Sequence, residues 1–101
     1  MELIGRKVIV RSDKAGVFFG TLKEKVATVA GVEVMLGDSR RIWYWEGAAS
    51  LSQLATEGTK KPDNCNFSVV VKEHNVIGVI EIIPCTDEAI KSIEEVYVWK
   101  C

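Results

Sequence analysis

At 101 residues the chain has the size of one domain, residues 1–101, with a modest core and no need of covalent staples. Hydrophobic residues make up 48% and charged residues 27%, the balance of an ordinary soluble globular protein, which excludes disorder over any long stretch. A formal net charge of −1 argues against a dedicated nucleic-acid binder and leaves room for a local basic patch.

The opening residues Met1 to Lys7 lack the positive start and apolar core of a signal peptide. The longest apolar run, Val76 to Ile83, is interrupted by Gly78 and Glu81 and is too short to cross a bilayer. A cytoplasmic protein with no membrane partner is expected. Cys65, Cys85 and Cys101 form no close pair, which fits reduced thiols better than a disulfide framework. With His74 as the sole histidine and no ligand pair at the local spacing of structural zinc, neither metal nor cofactor is expected.

Period-two patterns dominate the first half. Lys7 to Arg11 predicts a strand that ends in the turn Ser12 to Gly16. Val17 to Leu22 restarts it, and Gly20 inside this run marks a bulge or a close backbone approach. Val26 to Val29 and Val32 to Leu36 predict two further strands, and Gly37-Asp38-Ser39 a turn into the aromatic strand Arg40 to Trp45. This spacing suggests a meander that curls into a small SH3-like barrel.

Ser50-Leu51-Ser52-Gln53 is a capping box, and Gly58 can end the short helix that it opens. Thr59 to Asn66 is polar and is the expected mobile segment. Phe67 to Lys72 and Val76 to Ile83 then predict a hairpin about Glu73-His74-Asn75, apolar enough for both faces to be covered. Thr86-Asp87-Glu88 opens a second helix, and Val96 to Trp99 predicts a closing strand on an edge of the sheet. The fold class expected is α+β, mostly β: a curled antiparallel sheet of about six or seven strands with two short helices.

The aromatic strand carries the strongest functional signal. Arg40 to Trp45 packs two of the three tryptophans, one of the two tyrosines and two arginines into consecutive positions. Alternation puts Arg41, Trp43 and Trp45 on one face and Arg40, Ile42 and Tyr44 on the other. Two indoles beside a guanidinium could sandwich a planar ring, and Ser50 with Gln53 at a helix start could add polar contacts to an anion. The competing reading has the tryptophans filling the core between sheet and helix. Neither Ser50 nor Ser52 sits in a glycine-flanked nucleophile elbow, and His74 is the sole imidazole available as a base, so no enzyme is expected. Glu81 inside an apolar strand suggests pairing with a lysine or a solvent-facing edge.

Together, Val8 to Arg11, Gly16 to Leu22, Arg41 to Leu54 and Ile82 to Thr86 resemble an uncharacterised family of small phage- and prophage-encoded proteins. That resemblance implies provenance more than chemistry. It directs attention to host defence, where small viral proteins sequester nucleotide-derived signals. The function expected is thus non-enzymatic binding of a cyclic nucleotide or ADP-ribose derivative in the host cytosol, with Arg41, Trp43, Trp45, Ser50 and Gln53 as ligand contacts. The alternative is a protein that blocks a host factor or a virion assembly step. The abundance of large aromatics predicts a homo-oligomer in either case.

Overall fold

The computed structural model describes residues 3–99. Five strands and two helices follow in the order β1 (Lys7–Ser12), β2 (Gly16–Thr28), β3 (Gly31–Tyr44), α1 (Leu51–Glu57), β4 (Asn66–Phe67), β5 (Val71–Pro84) and α2 (Asp87–Glu95). Every strand pairing is antiparallel: β1 lies between β2 and β5, while β3 pairs with both β2 and β5. Those four strands therefore close into a ring, with β4 added to the end of β3. A curled, mostly-β sheet with two short helices is the fold. The ring draws β5 from the second half of the chain, so it is not a barrel of the first half alone. Among the described residues no helix is long and apolar enough to cross a membrane.

Fewer strands appear than expected because two expected turns are extended chain. Gly37-Asp38-Ser39 continues β3 as a bulge: the register slips between Phe19 and Thr21, and Asp38 takes φ 48°. Gly20 sits opposite, where a Cβ would lie 3.0 Å from the Gly37 carbonyl oxygen and 3.1 Å from Ser39 Cα. Glu73, His74 and Asn75 likewise form no turn, since they pair with Gly37, Leu36 and Met35 of β3. With no glycine or proline to force a reversal, the ladder hydrogen bonds prevail over the local polarity.

Two apolar clusters share β1. Val8 and Val10 point into the ring with Phe18, Leu22, Val34, Leu36, Val76 and Val79. Ile9 faces the other way, joining Phe19, Ile42, Phe67 and the helix residues Leu54, Ala55, Ala89 and Ile93. Burial on both faces, expected for β5, thus belongs to β1, while Ile77 and Ile80 of β5 stand exposed. Each fully buried large apolar side chain contributes roughly 2 kcal/mol. Glu81 pairs with Arg11 at 3.2 Å on this outer surface, an arginine in place of the expected lysine.

Both helices start where their caps predict. Ser50 Oγ accepts the Gln53 amide and Thr86 Oγ1 accepts the Ala89 amide. The loop expected to be mobile is tied down instead. The Thr59 amide donates to Ser92 Oγ, the Lys60 amide to the Gly47 carbonyl, Pro62–Asn64 forms a 3-10 turn, and Cys65 is buried in the core. Val96 to Trp99 makes a single parallel bridge, Phe67 to Val98, where a longer closing strand was expected.

Candidate functional site

Cross-strand pairing sends the two adjacent arginines in opposite directions. Arg40 stands opposite Phe19 on the helix side, and Arg41 opposite Phe18 on the ring side. Arg40 is only 4% exposed. Its Nε donates to the Ser68 carbonyl, its Nη1 to the Ile93 and Val96 carbonyls, and its Nη2 to the Tyr97 carbonyl. The Ile93 and Val96 carbonyls belong to the C-terminal end of α2, whose dipole favours a cation. Burial lowers the pKa of this guanidinium, yet arginine keeps its charge at physiological pH. Arg40 is a strut between β3 and the chain that follows α2.

Arg41 is held differently. Its guanidinium carbon lies 4.7 Å from the ring centre of Phe18 and 5.0 Å from that of Trp43. Its backbone is clasped by Ser68, whose hydroxyl accepts the Arg41 amide at 2.7 Å and whose amide donates to the Arg41 carbonyl. Among the described residues the guanidinium itself has no hydrogen bond and no ion pair. Around it runs a shallow groove of about 260 Å³, lined by Arg41, Trp43, Ser68, Val69, Val71 and His74. Trp43 stands 59% exposed at its rim.

His74 was not among the site residues expected from sequence. It enters the groove because β5 continues through position 74, which pairs with Leu36. Its ring meets Phe18 edge-on at 4.8 Å, and its Nδ1 lies 3.1 Å from Ser39 Oγ. Desolvation, then the charge of Arg41, lowers its pKa below the ordinary 6.5.

The remaining expected contacts lie elsewhere. β3 ends at Tyr44, and the register shifts between Ile42 and Tyr44, so alternation does not carry to Trp45. Trp45 packs against the helix-side core and donates its indole N–H to the Ala48 carbonyl at 3.2 Å. Ser50 and Gln53 serve the helix start: Gln53 Oε1 accepts the Ala49 amide, and its Nε2 donates to Glu57. The structure brings Arg41 and Trp43 together and places Trp45, Ser50 and Gln53 outside their groove.

A larger hollow of about 470 Å³ opens between the Asp13–Ala15 turn, the Thr28–Gly31 turn and Gly78. Its hydroxyls are already engaged, Ser12 with Ile77 and Ala15, and Thr28 with Gly31 and Ala30. Cys85 is buried and its thiol is pushed up to about 12, which disqualifies it as a nucleophile.

A family model described as a domain of unknown function (DUF6948) matches residues 5–93. The chain belongs to this family. The match spans the strand ring, both cores and the Arg41 groove, so the DUF6948 domain and the folded unit coincide over most of their length. No curated protein and no solved structure matched the chain.

Proposed function

We propose that this DUF6948 protein is a non-enzymatic binding protein and that the Arg41 groove receives a nucleotide-type anion. One observation carries the reading: a guanidinium braced by two aromatic rings, with none of its N–H donors committed to the described protein. Five donors in a fixed plane suit a phosphate oxygen pair, and the exposed Trp43 indole supplies a surface for a base. At about 260 Å³ the groove lies below the usual range for a complete small-molecule pocket, so it takes one phosphate or one ring. The rest of the ligand would lie across Val69 and Val71, or against a second copy of the chain. The likeness to phage-encoded proteins directs this reading to cyclic nucleotide or ADP-ribose signals of host defence, sequestered intact.

A thermal-shift screen across cyclic dinucleotides, cyclic trinucleotides and ADP-ribose derivatives tests it. A ligand that binds only the folded state raises the melting temperature. The ligand should be recovered unchanged after denaturation, and Arg41→Ala should abolish the shift. A chemically altered ligand would indicate an enzyme instead.

One observation favours a second reading, a protein-binding surface. Arg41 stands beside the exposed Trp43, two residue types enriched at protein hot spots, with exposed Val69 and Val71 adding apolar surface around them. Capture of one defined host protein, lost in Trp43→Ala and unaffected by nucleotides, would support it over the first.

A further inference from the structure

We propose that His74 sets the charge specificity of the Arg41 groove: Ser39 holds its imidazole neutral with the hydrogen on Nε2, so the groove selects a singly charged phosphodiester over a doubly charged phosphomonoester. This rests on the nucleotide-binding reading of Arg41 and Trp43 and names the ligand class within it.

The inference starts from one buried hydroxyl. Ser39 is fully buried, and the hydrogen-bond partner of its Oγ is His74 Nδ1 at 3.1 Å. A hydroxyl has a single hydrogen to place. If Nδ1 is bare, the serine hydrogen goes to it and both groups are satisfied. If Nδ1 carries a hydrogen, Ser39 Oγ becomes the acceptor and its own hydrogen is left without a partner in a site closed to water. That is the costlier arrangement. The neutral ring with Nε2–H follows, and a doubly protonated ring meets the same obstacle at Nδ1.

The surroundings point the same way. Of the charged groups on the surrounding strands, Arg41 on β3 is the one whose charge acts on His74. Lys72 and Glu73 lie next to it along β5, Asp38 adjoins Ser39 on β3, and the stem of Lys23 on β2 lies over Gly37. Arg41 opposes a second positive charge, and the Phe18 edge contact fixes the ring plane. The Ser68 hydroxyl is already spent on the Arg41 amide and the Val69 carbonyl. A ligand therefore meets one full positive charge and one neutral N–H donor. A phosphodiester carries one negative charge and matches them. A phosphomonoester brings a second charge that would lose water with no second cation in the groove lining to receive it.

Two measurements test this on the full chain. First, imidazole ¹⁵N shifts of the free protein at pH 8 should show a protonated Nε2 and a bare Nδ1, with Ser39→Ala giving a mixture of tautomers. An Nδ1–H tautomer in the wild type would overturn the inference without any ligand. Second, calorimetry at pH 8 and low salt compares 3′,5′-cyclic AMP with 5′-AMP, which share a base and differ in phosphate charge. The cyclic ester should bind roughly tenfold tighter or more, the scale of one charge-assisted hydrogen bond. His74→Lys, with a permanent cation, should reverse that preference, its folding checked by circular dichroism. Equal binding of the two nucleotides in the wild type, or no change of preference in His74→Lys, would overturn the specificity claim alone. A short single-stranded oligothymidylate distinguishes the source of the diester: if it binds tighter than the cyclic nucleotide, the phosphodiester claim stands and the small-ligand reading falls. Failure of all three probes to bind would overturn the nucleotide reading and this inference with it.

Discussion

Arg40 and Arg41 are chemically identical neighbours with opposite duties, and the difference is set by strand parity. Replacing Arg40 by Ala strips donors from three carbonyls at and just after the end of α2 and from the Ser68 carbonyl, and should cost roughly 3 kcal/mol or more. Replacing Arg41 by Ala removes ring contacts on a partly open surface and should cost only about 1 kcal/mol. Urea unfolding of the two variants checks that order, and equal losses would contradict the division of roles. Alternation in Arg40 to Trp45 made the two faces legible in the sequence. Which face entered the core was not legible, because it depends on Phe19 and Phe67, both brought in from other strands. Trp45 left the expected face because β3 stops one residue before it. His74 has its own signature in solution. Its folded pKa lies below the ordinary 6.5, so between the two values the unfolded chain binds the extra proton. Stability from this group is therefore full above the ordinary value and is lost as pH falls through the folded one. The urea midpoint of the wild type should fall between pH 7.5 and pH 5.5, and His74→Gln should reduce that fall.

Among the elements, those with local signals were the most legible. The caps Ser50 and Thr86 and the stop at Gly58 were readable because capping chemistry lies within a few residues. Strand lengths were not, because the Gly37–Ser39 and Glu73–Asn75 segments look like turns until their partners are known. Gly20 was the exception, a local sign of a non-local event: it marked the bulge, though not the Asp38 that sits across from it. Thr86 does more than cap. Its hydroxyl also donates to the Thr56 carbonyl at 2.6 Å, and its amide donates to the Ala55 carbonyl, joining α2 to α1. Among the described residues the Ser50 hydroxyl has no such second bond. Thr86→Ala should thus cost about 2 kcal/mol against about 1 kcal/mol for Ser50→Ala, the upper and middle of the range for lost caps. Equal shifts in melting temperature would show that the link to Thr56 carries no weight.

At the scale of the whole molecule, β1 partitions the protein. One side is the interior of the strand ring, and the other is the layer in which α1 and α2 rest on the sheet. In the Arg41 groove the side chains of Arg41 and His74 both rest on the buried Phe18 ring, so the site is braced by core packing even though it is shallow. That placement allows ligand binding to be followed at single rings. Trp43 stands in the groove, whereas Trp45 is tethered to Ala48 outside it, and each indole N–H gives its own resonance. The most direct test of the account is a ¹H–¹⁵N titration of the full chain with 3′,5′-cyclic AMP, the indole signals assigned through Trp43→Phe and Trp45→Phe. The account predicts that the Trp43 indole moves with ligand, that Trp45 stays still, and that Arg41→Ala abolishes the response. A Trp43 signal that does not move, or a response that survives Arg41→Ala, would contradict it.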